Sequence, residues 1–254
     1  MTGPVPSGVT ALLCDADDTL IPSEAPAFEA SAAVTNRFLA AHGIDRRVTG
    51  EELRTSSTGK NFRATARELA AAASVPVADL DRWVAEEAEV VTAHLRATLV
   101  PDPEVVGALT TLGGQLTLAA VSSSALARLD GSFTAAGLAG LLPPARRFSA
   151  EDSLPTPTSK PDPAVYLHAC AQLGISPAEG LAVEDSVSGA TSAVRAGCPT
   201  IGLVTFVPEG ERRARSAALA DAGAVAVVDS WAELDRLVTG RRAVPLAVGG
   251  HTAG

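Results

Sequence analysis

The chain is poor in lysine, cysteine and aromatic residues. Lys60 and Lys160 are its only lysines, and arginine supplies the rest of its 20 basic residues. With 29 acidic residues the net charge is -9, which argues against a nucleic-acid or anionic-membrane surface, because both favour clustered basic residues. The scarcity of lysine makes the two that remain better candidates for a function than lysines usually are.

Long apolar segments are also absent. No run approaches the roughly 20 apolar residues that a membrane span needs. The N-terminal segment lacks the basic region of a signal peptide, so we expect a cytoplasmic protein. Cys14, Cys170 and Cys198 have no metal-type spacing, and we expect them to be buried and reduced. We expect a monomer or weak dimer whose partner is a small molecule, with no nucleic acid and no membrane.

Short apolar segments bounded by Gly, Pro and Asp predict buried strands, and helical patterns lie between them. The predicted strands are residues 9–14, 116–121, 180–183, 200–204 and 225–228. Strands that alternate with helices are typical of a parallel sheet covered on both faces. The predicted fold is therefore α/β, a doubly wound Rossmann-like sheet that binds its ligand beyond the C-terminal ends of the strands.

Residues 23–99 interrupt this alternation. They are rich in Ala, Glu and Arg, have helical spacing throughout and contain no convincing strand. We predict an all-helical cap domain inserted after the first strand, a core domain of residues 1–22 and 100–240, and a C-terminal tail of residues 241–254. Because such an insert is tethered at two points, it can hinge over a site as a lid.

Two carboxylates follow the first predicted strand. Asp15 and Asp17 stand two residues apart, and side chains at that spacing point to the same side of an extended backbone. One could act as a nucleophile and the other as a general acid/base. Asp is also common in turns after strands, so this pair leaves both interpretations open.

Two further segments carry polar candidates: the serines after the predicted strand at 116–121, and the segment around Lys160. Ser122 and Ser123 come directly after a predicted strand, where hydroxyls and backbone N–H groups can hold a phosphate. Ser124 is expected to cap the helix that follows. Lys160 is a candidate functional cation, because Pro161 restricts the backbone beside it.

Glu184 and Asp185 directly follow the predicted strand at 180–183 and offer the hard oxygen ligands that Mg2+ takes. A helix-capping role for Asp185 is the alternative interpretation. All four polar segments follow strands of one parallel sheet, so we expect them to meet at one edge. Together they would supply a nucleophile, an acid/base, phosphate anchors, a cation and metal ligands.

The order of these motifs resembles the haloacid dehalogenase superfamily, in the branch with a helical cap that includes β-phosphoglucomutase-like enzymes and phosphoglycolate phosphatases. The motifs DADDTL and KPDPAVYLHACAQLGISPAEGLAVEDSVSGATSAVRAG carry the resemblance, which covers about residues 9–237. It implies that Asp15 is the nucleophile and Asp17 the general acid/base. One departure is Asp18, where the branch most often has Gly.

The resemblance also implies a phosphate site and a metal site. The implied phosphate ligands are Ser122, Ser123 and Lys160. The implied Mg2+ ligands are the carboxylates of Asp15 and Asp185 and the carbonyl of Asp17, with Glu184 as a ligand or as a partner of the ligands.

The resemblance implies a Mg2+-dependent phosphatase for a small phosphate monoester, such as a sugar phosphate or a metabolite that carries a phosphosugar. Dehalogenases and phosphonatases of the superfamily lack a carboxylate at the position of Asp17. Two alternatives stay open: a β-phosphoglucomutase-like phosphomutase and a non-catalytic binding or regulatory protein. In relatives a Gly-containing cap loop reads the substrate, so the candidate specificity residues are Thr58, Gly59, Lys60, Asn61 and Arg63.

Overall fold

A six-stranded parallel sheet forms the centre of the molecule, in the order β3-β2-β1-β4-β5-β6. The computed structural model describes residues 5–57 and 62–240. The strands are β1 (Ala11–Cys14), β2 (Thr117–Ser122), β3 (Arg147–Ser149), β4 (Gly180–Glu184), β5 (Thr200–Leu203) and β6 (Ala226–Val228). The predicted α/β fold is confirmed. The strand order reverses at β1, which places a ligand site between β1, β2 and β4.

Helices cover both faces of the sheet. They are α5 (Pro103–Gly113), α6 (Leu126–Ala135), α7 (Ala164–Leu173), α8 (Val187–Ala196), α9 (Glu209–Asp221) and α10 (Trp231–Thr239). Between β1 and α5 the structure describes α1 (Glu24–Ala41), α2 (Gly50–Ser56), α3 (Phe62–Ala72) and α4 (Leu80–Thr98). Within the described part of 23–99 there is no strand, as predicted. The domain boundaries themselves stay a prediction.

The central strand β1 is fully buried, because it faces a hydrophobic layer on each side. Leu12 and Cys14 pack into one apolar cluster, whereas Ala11 and Leu13 pack into another. This alternation follows from the two-residue period of a strand. All three cysteines are buried and free.

Helices α1, α3 and α4 of the insert share a hydrophobic cluster built around Phe38, Phe62 and Trp83, and α2 packs on α1 through Leu53. At the end of α4 nearest the sheet, Leu95 and Leu99 join the cluster that covers β1. The insert is therefore packed internally and is also continuous with the core. In the described ranges, no helix combines the length and apolar character that crossing a membrane requires.

A second connection between the insert and the core is an ion pair. Arg54 in α2 places its Nη2 atom 2.7 Å from Oε1 of Glu211 in α9, and its Nη1 atom 3.3 Å from Oε2. Arg54 also pairs with Glu51 of its own helix. The Arg54 side chain thus links α2 of the insert to α9, which packs on the sheet.

We predict that Glu211→Gln lowers the free energy of unfolding by up to about 1 kcal/mol, the upper end for partly exposed ion pairs. Urea denaturation measures this effect. Glu209→Gln is the matched control, because Glu209 stands in the same first turn of α9 and shares its helix-dipole contribution. Equal losses in the two variants would contradict a specific contribution of the Arg54 pair.

Candidate active site

A cavity of about 470 Å³ opens at the C-terminal edge of the sheet, between the sheet and the inserted helices. Its floor is formed by polar residues at the ends of β1, β2 and β4 and by one lysine. The floor residues are Asp15, Asp17, Asp18, Ser122, Ser123, Ser124, Lys160 and Asp185. These side chains come from distant parts of the chain and meet because all the strands are parallel.

The backbone turns sharply after β1, and this turn positions Asp15 and Asp18. Asp15 N–H donates to the carbonyl of Val183 at 3.0 Å, which extends the pairing with β4 by one residue. Asp18 has φ +55, in the left-handed region that favours glycine, and this explains the Gly usual at that position. Asp tolerates this conformation, and its Oδ1 accepts from Glu24 N–H at 2.9 Å, capping α1.

Lys160 lies at the centre of the site and is almost fully buried. Its Nζ donates to Oδ1 of Asp15 at 2.6 Å, to Oε1 of Glu184 at 2.6 Å and to the carbonyl of Val121 at 2.8 Å. Burial lowers the pKa of the lysine, but the charges of Asp15 and Glu184 outweigh this effect and raise it. The ammonium group is therefore a permanent cation shared by two carboxylates.

Glu184 lies behind Lys160 and is completely buried. Its Oε1 also accepts from the Tyr166 hydroxyl, and burial raises the pKa of Glu184 to about 8. Its Oε2 has no hydrogen-bond partner among the described residues, and it faces the backbone of Gly189. These contacts show that Glu184 holds Lys160 in place.

Asp17 is held by donors from three parts of the chain. Its carboxylate accepts from the hydroxyl of Ser23, from that of Ser124 at 2.7 Å, and from Arg128 Nη2 at 3.4 Å. Burial would raise the pKa of Asp17, but Arg128 and the two hydroxyls outweigh it and lower the pKa. These partners favour the carboxylate form of Asp17 in this arrangement.

Asp185 completes the acidic edge. Its Oδ1 accepts from the Thr19 hydroxyl at 3.2 Å, and its Oδ2 accepts from Arg215 Nη1 at 3.2 Å. Arg215 also donates to the Asp185 carbonyl at 2.9 Å, which fixes the backbone at the end of β4. Burial and the charges of Asp15 and Asp18 raise the pKa of Asp185.

Three of these carboxylates form a group that suits a metal ion. Asp15, Glu184 and Asp185 each offer an oxygen, and these atoms lie within 4.8 Å of one another. Burial raises the pKa of all three, and the positive charge of Lys160 only partly offsets it. As ions, the three carboxylates carry three negative charges against the two positive charges of Lys160 and Arg215, so a bound cation would favour their ionised forms, and their hard oxygen ligands fit a cation of the Mg2+ or Ca2+ type.

A sequence model of the haloacid dehalogenase-like hydrolase family matches residues 9–197, which includes every side chain of the floor. The chain belongs to this family. The structure agrees with that assignment: it superimposes on a haloacid dehalogenase-like protein of unknown function from Agrobacterium tumefaciens str. C58 with a TM-score of 0.71 and 27% identity, over 92% of this chain and 99% of the other.

Two further relatives resemble this haloacid dehalogenase-like hydrolase. A HAD family hydrolase from Deinococcus radiodurans R1, solved with bound phosphate and sodium, has a TM-score of 0.69 and 27% identity over 92% of this chain and 97% of the other. The phosphoglycolate phosphatase of Thiobacillus denitrificans (strain ATCC 25259 / T1) is 43% identical over 83 residues, or 33% of this chain. That alignment spans 34% of the curated relative.

The floor brings together the predicted nucleophile, acid/base, phosphate-site and metal residues except Glu184, which lies behind Lys160. Ser122 Oγ accepts from Ser124 N–H at 3.0 Å, which leaves its proton available to the cavity. Ser123 Oγ accepts from Lys160 N–H at 3.2 Å, so it joins the two phosphate-site segments. The individual roles of these residues stay predictions.

The prediction that Ser124 caps the next helix was wrong. Helix α6 begins at Leu126 behind Ala125, which makes no capping bond, and Leu126 N–H donates to Asp152 Oδ2 at 2.6 Å. The Ser124 hydroxyl instead holds Asp17. The sequence analysis also missed a set of supporting residues: Thr19, Ser23, Arg128, Tyr166 and Arg215. Only Tyr166, the single tyrosine of the chain, carried a compositional signal.

The predicted cap-specificity residues are mostly outside the described ranges. Thr58, Gly59, Lys60 and Asn61 fall there. Arg63 is described, and its Nη2 lies 2.6 Å from Oδ1 of Asp81, on a part of the insert that does not line the main cavity. A specificity role for these five residues stays a prediction.

Gly189 tests the packing around Glu184. A Cβ at Gly189 would lie 1.7 Å from Glu184 Oε2, whereas a Cβ at Gly107 in α5 would meet nothing within 4 Å. We predict that Gly189→Ala costs about 1–3 kcal/mol or more by overpacking, and that Gly107→Ala gains about 0.5–1 kcal/mol from helix propensity. Urea denaturation of both variants measures this. A neutral Gly189→Ala would show that Glu184 is not confined as described.

Proposed function

We propose that the protein is a Mg2+-dependent phosphatase that hydrolyses a small phosphate monoester through an aspartyl-phosphate on Asp15. The observation that carries the proposal is the contact between Lys160 Nζ and Asp15 Oδ1 at 2.6 Å on the floor of the cavity. The positive charge of Lys160 opposes the rise in the pKa of Asp15 that burial causes, and it can neutralise oxygens of an incoming phosphoryl group. Family membership and the relatives described above support the same chemistry.

The first half-reaction forms the acyl phosphate. A carboxylate oxygen of Asp15 bonds to phosphorus, the bond from phosphorus to the ester oxygen breaks, and its electron pair leaves with the alcohol. Asp17 donates a proton to that oxygen, which requires its protonated form; because its donors lower the pKa of Asp17, this step depends on the protonated fraction, which grows as the pH falls. Ser122, Ser123 and Lys160 bind the non-bridging oxygens, where charge accumulates.

The second half-reaction regenerates the enzyme. Asp17, now a carboxylate, accepts a proton from water as the water oxygen bonds to phosphorus. The acyl phosphate bond breaks, inorganic phosphate is released, and the electron pair returns to Asp15. Arg128, Ser23 and Ser124 hold Asp17 as the carboxylate that this step requires.

Asp15, Asp185 and the Asp17 carbonyl would hold the Mg2+ ion, with Glu184 beside them. When bound, Mg2+ supplies positive charge that reduces repulsion between Asp15 and the anionic substrate and neutralises phosphoryl oxygens. A sugar phosphate, or a metabolite that carries a phosphosugar, fits the size of the cavity.

Within the described part of the insert, the state of two arginines favours hydrolysis over phosphomutase activity; Lys60, the other candidate anchor, lies outside the described residues. A mutase must hold the second phosphate of a bisphosphate with cationic anchors. Arg54 and Arg63 are both paired with carboxylates, and neither lines the described wall of the cavity. A non-catalytic protein would lack at least one chemical residue, whereas Asp15, Asp17 and Lys160 are all present and adjacent.

Replacement of the nucleophile gives the most direct test. We predict that Asp15→Asn loses phosphate release from any monoester by at least on the order of a thousandfold, because the amide is a poor nucleophile. A phosphate-release assay with Mg2+ across sugar, nucleotide and glycolytic phosphates measures this. Circular dichroism confirms that the variant is folded, and Asp221→Asn on exposed α9 serves as control. Retained activity in Asp15→Asn would overturn the assignment.

Metal binding can be tested without activity. We predict that Mg2+ raises the melting temperature of the wild type, since a ligand at a hundred times its Kd stabilises by about 2.7 kcal/mol. Asp185→Asn should lose most of this increase, and Asp221→Asn should keep it. Chelator should reverse the shift. An equal Mg2+ response in Asp185→Asn would rule out the metal site at this edge.

A further inference from the structure

The space for the leaving alcohol lies between the phosphate-binding floor and the inserted helices. Its upper wall contains apolar side chains, including Phe28 and Phe62, and hydroxyls, including Ser31 and Thr65. Among the described residues, the only charged side chains that the insert contributes to this wall are the acidic Glu24 and Glu87. Of these two, Glu24 lies next to the turn after β1, whereas Glu87 stands on α4, farther from the metal ligands.

Glu87 and Arg128 both line the cavity, and they stand on two helices that are in direct contact. Helix α4 packs on α6 so closely that a Cβ at Gly131 would lie 2.9 Å from the Arg96 guanidinium. Burial raises the pKa of Glu87, and the Ser31 hydroxyl and the charge of Arg128 only partly offset this. The carboxylate is thus a partly desolvated acceptor at the mouth of the site.

The positive charge of Arg128 is offset by two carboxylates, although its buried Nε has no hydrogen-bond partner among the described residues. Its Nη2 lies 3.4 Å from Oδ1 of Asp17, and its charge also acts on Glu87. Arg128 is therefore shared by two carboxylates, those of Asp17 and Glu87, and with both ionised the three side chains together have a net negative charge. A second anionic group on the substrate would be repelled here, whereas hydroxyl or ammonium donors would find a charged acceptor.

We propose that Glu87 is a specificity-determining residue. It selects phosphate monoesters whose leaving alcohol donates hydrogen bonds through hydroxyl or ammonium groups, and it disfavours alcohols with a carboxylate or a second phosphate. This inference rests on the proposed phosphatase function. It assigns the choice of substrate to a residue of α4 in addition to the loop that the sequence suggested.

Three sugar phosphates with the phosphate at the same carbon provide the test. They are glucosamine 6-phosphate with an ammonium group, glucose 6-phosphate with neutral hydroxyls, and 6-phosphogluconate with a carboxylate. For each, kcat/KM is measured by phosphate release, and Ki is measured by competition against p-nitrophenyl phosphate. We expect the wild type to favour the first two over 6-phosphogluconate by about tenfold or more, the scale of one charged contact.

Glu87→Gln keeps the size of the side chain and removes its charge. We expect the preference for glucosamine 6-phosphate over 6-phosphogluconate to fall by about tenfold. Glu86→Gln is the matched control, because Glu86 is the neighbouring residue, has the same charge and pairs with Arg37 at 2.8 Å on the outer surface. That variant should keep the wild-type preference.

The outcomes separate the two proposals. If the wild type fails to hydrolyse p-nitrophenyl phosphate as well as the three sugar phosphates, the phosphatase function itself is wrong. If it hydrolyses the aryl ester but the preference, in kcat/KM or in Ki, is unchanged in Glu87→Gln, only the role of Glu87 is overturned. An equal change in Glu86→Gln would show an effect of net charge and would also overturn it.

Discussion

Lys160 Nζ lies 2.6 Å from a carboxylate oxygen of Asp15 and 2.6 Å from one of Glu184. These carboxylates end the neighbouring strands β1 and β4, and both are buried. Without the ammonium group they would face each other in a site with little water, where removing one partner of a buried ion pair costs about 3–5 kcal/mol. Asp15 and Glu184 therefore depend on this one cation, which also lines the cavity.

The surroundings of the lysine follow from that constraint. Tyr166 donates to Glu184, and Gly189 leaves room for the second oxygen of the same carboxylate. On the other side, Thr19 and Arg215 hold Asp185. Together these contacts fix a group of carboxylates that has more negative charge than the protein neutralises, which is the electrostatic condition for a divalent cation. Because β1 is packed on both faces, the scaffold holds these carboxylates close together despite their mutual repulsion.

The sequence predicted the floor of the site because its residues follow strands of one parallel sheet. Local pattern identified Asp15, Lys160 and Asp185 as candidates, and only the family resemblance gave them roles. Strand β3 was missed because it is the three residues Arg-Phe-Ser, and Arg147 is buried through bonds to Asp130 and the Leu142 carbonyl that no periodicity reveals. Arg128 and Arg215 were missed because they stand on helices where a solvated arginine looks the same in sequence. Only the tertiary structure identifies their partners.

The central claim is that Asp15 forms a covalent phosphoenzyme. It is tested most directly by mixing Asp17→Asn with Mg2+ and acetyl phosphate, whose leaving group needs no proton, and then reducing the protein with borohydride before peptide mass spectrometry. Because this variant lacks the base that activates water, the phosphoenzyme should accumulate. Reduction should then convert residue 15 to homoserine. Absence of homoserine at position 15, or a stable phosphate on Ser122, would contradict the account.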